Sequence, residues 1–194
     1  METSVMSIHI VEEIQQRLGF PHLHKVDPNI QETKEKSELS HYDKLAQASI
    51  PTVLAGLFSF TRTDKGTNYI LSGGGPAKWL DMIFGDKKSE AVEKVAHYAG
   101  VSKDDAADNM EDIAEEAVAV IHENSGAEKA TSDKMKNFMS DQRHHILVYL
   151  PAALQMGGLL GDSSLDDRTN KMEGPISSFM HNIEDKFSGG SKKN

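Results

Sequence analysis

The sequence predicts an all-α protein, a single helical domain of about seven to eight helices. Apolar residues recur at three- and four-residue steps in several segments, which is the spacing of one buried helix face. Small polar residues precede these segments and glycines follow them, as expected at helix starts and ends. No segment shows the polar–apolar alternation of a half-buried strand.

The N-terminal part of the chain predicts one helix followed by a long connection. Residues 4–18 carry apolar side chains at helical spacing, on Val5, Ile8, Val11, Ile14 and Leu18. Gly19 and Pro21 then form a stop signal. Residues 21–39 are polar and contain a second proline, Pro28, so we expect them to connect two helices.

A proline lies inside each of two related apolar segments. His41–Leu54 aligns with Asp141–Leu154, and both contain an apolar residue, proline, two small or β-branched residues and leucine. Proline in a helix interior bends or restarts the helix. We therefore expect two core helices that are kinked at Pro51 and Pro151.

The similarity of these segments leaves the domain organisation open. It could reflect a pseudo-repeat, with halves 1–85 and 86–187, or chance among helical sequences. A chain of 194 residues suits one domain or two small ones. We expect a single helical domain over residues 1–187, followed by a Gly/Ser/Lys tail, 188–194, that is disordered.

The two Pro-containing helices have recognisable starts. Ser40 is the expected N-cap of the first, which runs from His41 to about Ser59. The second begins at Thr131 or Ser132 and continues, bent, to Met156.

Four further elements lie between these helices. Ser102, with Asp105 three residues later, resembles a capping box and predicts a helix start. In chain order the elements are a short one of uncertain type at 64–71, and helices from Pro76 to Phe84, from Ser89 to Gly100 and from Ser102 to Asn124.

The C-terminal part predicts a short helix at 164–172 and a last amphipathic helix opened by Pro175. An apolar stripe normally faces the core of its own domain. Because Gly174 and Pro175 separate this helix from the body, the stripe is also a candidate for docking on a partner or a second copy. The residues predicted to make that contact are Phe179, Met180, Ile183 and Phe187.

Composition restricts the possible functions. The chain has no cysteine, which excludes disulfides, thiolate metal sites and cysteine nucleophiles. The net charge of −9 argues against binding to nucleic acid or anionic membranes. The start lacks a signal-peptide pattern, and no stretch approaches the ~20 apolar residues of a membrane span. We therefore expect an acidic, soluble, cytoplasmic protein.

One segment resembles half of a DNA-binding motif. Ala91–Lys103 could form the first helix and turn of a helix-turn-helix, whose second helix enters the major groove. That second helix carries Lys103 against many carboxylates, and a phosphate-lined groove would repel it. An ordinary capped corner between two helices is the favoured interpretation.

Metal and catalytic motifs are incomplete. His22 with His24, and His144 with His145, are the clustered histidine pairs, but adjacent helical residues point about 100° apart and rarely bind one ion. The glycines before Pro76 match neither a P-loop nor a dinucleotide fingerprint. Nucleophile motifs are missing as well. We expect no metal, no cofactor and no catalytic residues.

Short motifs along the chain match a known helical family. They are Ser49–Leu57, Ile70–Leu71 after Gly66, Trp79–Gly85, Val92–Ser102 and Leu150–Gly161. Through them the chain resembles bacterial domain of unknown function 937, the YidB-like helical proteins. The resemblance implies an all-α fold in a bacterial protein and implies no activity, cofactor or catalytic residue. The acidic stretch and the Pro-containing 21–39 loop depart from the family's Gly/Ala/Leu-rich pattern.

The sequence therefore favours a non-catalytic protein that acts through an apolar or acidic helical surface on another protein, or on itself as a homodimer. The alternative is a module that binds a small ligand or a metal in a pocket near His144, His145 and Pro151, with Tyr149 close by. An enzyme is the third possibility, and it would require a polar cleft that excludes water.

Overall fold

The computed structural model describes residues 8–27, 29–33, 37–162 and Leu165. Within these residues it is built from eight α-helices and short 3-10 turns, with a single isolated bridge between Asp27 and Glu32 instead of a sheet. The predicted all-α class is confirmed. In chain order the helices are α1 (Ile10–Leu18), α2 (His41–Thr61), α3 (Asp64–Leu71), α4 (Trp79–Phe84), α5 (Lys88–Ala99), α6 (Lys103–Asn124), α7 (Ser132–Leu147) and α8 (Met156–Leu160).

Helix α2 is the central element of the core. Every residue from Leu45 to Phe58 is buried, because the helix carries small and apolar side chains on all its faces and other helices pack against each of them. It packs against α5, α6 and α7. At Gly56 an added Cβ would lie 2.7 Å from side-chain atoms of Ile83 and Phe84, so α4 rests directly on the backbone of α2.

The two prolines behave differently. Pro51 lies inside α2, as predicted, and removes the helical hydrogen bond to the carbonyl of residue 47. The prediction of a second Pro-kinked helix is wrong, because α7 ends at Leu147 and Pro151 opens a separate 3-10 turn. The α region is disfavoured for a residue before proline, which contributes to this end but does not decide it, since Ile50 is helical before Pro51.

The long connection between α1 and α2 is fixed to this second proline segment. The backbone N–H of Val26 donates to the carbonyl of Val148 (2.9 Å), and that of Ala152 donates to the carbonyl of Gln31 (3.3 Å). The N–H groups of Val148, Tyr149 and Leu150 still donate to nearby carbonyls of α7, so these tertiary bonds add to local ones where the chain leaves the helix.

Side-chain caps define several helix starts. Ser40 forms a capping box with Asp43, and Ser102 accepts a hydrogen bond from the N–H of Asp105 (3.1 Å), as predicted for both. Thr131 caps α7 by accepting from the N–H of Lys134. Two predicted starts are wrong: residues 8 and 9, which belong to the predicted helix 4–18, precede α1, and α4 begins at Trp79 instead of Pro76.

Candidate functional site

The predicted contact residues of the last helix lie outside the described residues. Phe179, Met180, Ile183 and Phe187 therefore remain a sequence prediction. The predicted helix at 164–172 also lies outside that part of the chain, apart from Leu165, which is buried.

An acidic groove runs between α6 and the segment that precedes α4. On α6 the side chains of Asp104, Asp108, Asp112 and Glu115 are exposed on one face, at steps of four, four and three residues. The groove has a volume of about 620 Å³ and lies beside the last three of these. It is lined by Gly75, Pro76, Ala77, Lys78, Trp79, Asp108, Glu111, Asp112 and Glu115.

Glu111 holds the two walls of the groove together. Its carboxylate is nearly buried and accepts hydrogen bonds from the backbone N–H groups of Trp79 and Leu80, the latter at 3.3 Å. Glu111 thus caps the positive N-terminal end of α4, where a carboxylate is favourable. This long-range cap explains why α4 begins at Trp79 and not at Pro76.

Trp79 forms the aromatic wall of the groove. Its ring packs edge-on against Tyr69, with ring centroids 5.4 Å apart, and Tyr69 packs in turn against Phe60. The indole is partly buried and stays accessible from the groove. Edge-to-face packing against Tyr69 holds the Trp79 ring in one orientation, so a group bound in the groove would contact a fixed surface.

Several carboxylates elsewhere on the surface form ion pairs. Asp64 pairs with Lys136, Asp81 with Lys88, and Arg17 bridges Glu13, Glu116 and Glu123. Across the described residues, by contrast, Asp108, Asp112 and Glu115 form no ion pair. Four carboxylates face one ammonium group, that of Lys78, so the groove carries a negative potential.

A second cavity, of about 470 Å³, lies beside α1. Its polar lining includes Glu12, His22 and Tyr149, and its apolar lining includes Phe20 and Leu23. Burial, followed by the charge of Glu12, raises the pKa of Tyr149 above its ordinary value. Of the residues named for the pocket predicted near Pro151, Tyr149 lines this cavity.

The histidines of that prediction lie near this cavity but do not line it. His145 packs edge-on against His9 with ring centroids 4.0 Å apart, and against His144 at 5.8 Å. The described residues contain no group of three or more His, Cys, Asp or Glu side chains placed to hold a metal ion. The sequence drew attention to His144 and His145 because they are adjacent, whereas His9 stood alone in a predicted helix and was missed.

The turn between α5 and α6 has the geometry of the capped corner that the sequence favoured. Gly100 ends α5 with a left-handed backbone (φ 70°), and Ser102 caps α6. The exposed face that follows is the acidic one described above. In the part of the chain that the structure describes, none of the helices is both long enough and apolar enough to cross a lipid bilayer.

Comparisons of the chain with family models, with curated proteins and with solved structures give no match.

Proposed function

We propose that the chain is a non-catalytic helical protein that binds a basic segment of a partner protein in the acidic groove between α6 and Trp79. The observation that carries the proposal is a groove with an aromatic wall and three exposed carboxylates that form no ion pair with any described residue. Lysine and arginine side chains are attracted by both features, through ion pairing and through contact with the indole face.

The acidic face offers the fold no evident benefit. Like charges four residues apart on a helix destabilise it by about 0.2–0.5 kcal/mol per pair, and Asp108 forms such pairs with Asp104 and Asp112. The helix dipole favours carboxylates in the first turn of a helix, but Asp108 and Asp112 lie beyond that turn and gain nothing from it. A cationic partner would relieve this repulsion.

The dimensions suit a short peptide. From Asp104 to Glu115 the face extends about 16 Å at 1.5 Å per residue. About five residues of extended chain span that distance. A segment with two or three lysine or arginine side chains would therefore reach the acidic residues and the indole together.

The proposal can be tested with Trp79 itself, which is the single tryptophan of the chain and reports directly on the groove. A short peptide rich in lysine and arginine is titrated against the full chain while indole fluorescence is recorded. The triple variant Asp108→Asn, Asp112→Asn, Glu115→Gln should bind at least about tenfold more weakly, since three exposed charge contacts contribute roughly 0.5 kcal/mol each.

A matched control separates the groove from net charge. Asp86, Glu128 and Asp133 are exposed and lie outside the groove. The variant Asp86→Asn, Glu128→Gln, Asp133→Asn has the same net charge as the groove variant and should bind like the wild type. Equal loss of affinity in both variants would mean that only overall charge attracts the peptide, and the proposal would fail.

Small-ligand binding in the cavity beside α1 is the second candidate. Its volume of about 470 Å³ lies within the usual size of small-molecule sites, and its lining combines the aromatic Phe20 and the apolar Leu23 with polar groups that could orient a ligand. A screen for thermal stabilisation of the full chain, repeated on a Tyr149→Ala variant, tests it. Stabilisation that persists in the variant would place the ligand elsewhere.

Self-association through the last predicted helix also remains part of the proposal. Changing Phe179 and Ile183 to Asp should turn a homodimer into a monomer in light scattering. A chain that unfolds instead would show that these residues belong to the core. We also propose a bacterial source, because the chain resembles domain of unknown function 937. We propose a cytoplasmic location as well, since a chain without cysteine is compatible with a reducing compartment.

A further inference from the structure

Three histidines meet where α1 begins against α7. His9 immediately precedes α1, and His144 and His145 belong to the last turn of α7. The His145 ring lies edge-on between the other two, 4.0 Å from His9 and 5.8 Å from His144 by ring centroids. We call these three residues the histidine cluster.

The cluster adjoins the hydrogen bonds that attach the start of α1. The N–H of Ile10 donates to the side-chain oxygen of Gln142 on α7 (2.9 Å), and both residues are buried. The N–H of Glu13 donates to the carbonyl of His9 (3.0 Å) and closes the first turn. The bond from Ile10 to Gln142 thus ties the start of α1 to α7 beside the cluster, and the bond from Glu13 keeps His9 in the first turn.

The charges around His145 come from each neighbouring element. α1 contributes the carboxylate of Glu12 and its preceding residue His9, the connection contributes Lys25, and α7 contributes His144. Burial, then His9 and His144, lower the pKa of His145, and Lys25 acts in the same direction. Glu12 opposes them but does not reverse the shift.

We propose that the histidine cluster is an acid-sensitive latch: when neutral it holds the start of α1 on α7, and when protonated it loosens that contact. Two imidazolium rings at 4.0 Å would repel each other in a partly buried site, whereas neutral rings pack favourably edge to face. Histidine is the side chain that changes charge between about pH 5 and pH 8.

The direction follows from proton binding. Because the folded protein holds the pKa of His145 below its ordinary value of 6.5, the loosened state binds protons more readily. The contact is therefore fully present above pH 6.5 and weakens as the pH falls below it. The far end of α1 stays attached, since Arg17 bridges to Glu116 and Glu123 on α6.

Amide hydrogen exchange on the full chain tests the latch. The amides of Ile10 and Glu13 report on the start of α1, and exchange rates are corrected for the intrinsic effect of pH. Lowering the pH from about 7.5 to about 5.5 should raise local opening several-fold in the wild type, because protonation of the histidine cluster favours the loosened state. Amides in the middle of α2 should change much less.

Variants that keep an aromatic ring but cannot take a proton sharpen the test. In His145→Phe, and separately in His9→Phe, the ratio of opening at the two pH values should fall below about twofold. His97→Phe, an exposed change on α5, should keep the wild-type ratio. The ratio is measured within each variant, so a general loss of stability does not affect it. No acid effect in the wild type, or an equal effect in all variants, would overturn the proposal.

Discussion

Pro51 and Pro151 occur in similar sequence segments, yet only Pro51 lies inside a helix. Around Pro51 the chain is buried from Leu45 to Phe58 and helical on both sides. Before Pro151 the helix has already ended at Leu147, three residues ahead of Leu150. The same local pattern thus has two outcomes in one molecule.

The difference comes from the groups that donate hydrogen bonds to the backbone carbonyls just before each proline. In the second segment, Val148 accepts a hydrogen bond from the backbone of Val26, and Tyr149 accepts one from the side chain of Gln47 (2.8 Å). In the first segment, packing on all sides of α2 keeps the helix intact despite the bond lost at Pro51. Tertiary partners, and not the proline alone, decide whether the helix continues.

The largest expected effect is at Gln47, which joins the two segments. Its buried amide also accepts from the N–H of His24 (2.8 Å) and donates to the carbonyl of His24 (3.0 Å). Gln47→Leu would remove three buried hydrogen bonds to backbone groups and should lower the free energy of unfolding by about 2–5 kcal/mol. Urea unfolding measures this loss.

The exposed Gln16→Leu is the control and should change the free energy of unfolding by no more than about 0.5 kcal/mol. A comparably small loss for Gln47→Leu would contradict the role given to Gln47.

A glycine that follows each segment gives the next effect. Gly56→Ala places a Cβ 2.7 Å from Ile83 and Phe84 and should cost about 1–3 kcal/mol by overpacking. Gly158→Ala, in α8, meets no atom within 4 Å and should stabilise by about 0.5–1 kcal/mol. Thermal unfolding of the two variants should shift in opposite directions. Equal shifts would show that α4 can move away from α2 at little cost.

The smallest effect concerns how the two helices start. Ser40→Ala removes a capping box from α2 and should lower the free energy of unfolding by about 1 kcal/mol, whereas Thr131→Ala removes a single cap bond from α7 and should lower it by less.

The stabilisation from the capping box should depend on pH. The hydrogen bonds from Ser40 lower the pKa of Asp43, so this stabilisation is present above the ordinary pKa of 3.8 and is lost as pH falls. Unfolding curves near neutral pH and at acid pH check both statements. A Ser40→Ala cost that stayed constant into acid would be inconsistent with the capping box.

Local signals in the sequence predicted most of the fold. The caps at Ser40 and Ser102, the stop at Gly100 and the span of α3 are encoded by residues next to one another, so they could be found without the structure. The end of α7 depends on Val26 and Gln47, which are far away in sequence, and could not.

The candidate site was predictable only in part. The acidic face of α6 is visible in the sequence, because helical spacing puts Asp108, Asp112 and Glu115 on one side. Its opposite wall is not, since the contact from Glu111 to the start of α4 links distant residues. A lone tryptophan after Gly-Pro-Ala-Lys was the signal that could have drawn attention to the groove.

The most direct test of the proposed function is a map of amide chemical shifts when the Lys/Arg-rich peptide is added to the full chain. The account predicts that the changes concentrate on Asp104–Glu115 of α6 and on Gly75–Trp79, the two walls of the groove. Changes spread over all acidic surfaces, including those around Glu90 and Asp133, would show that the peptide follows net charge and would contradict it.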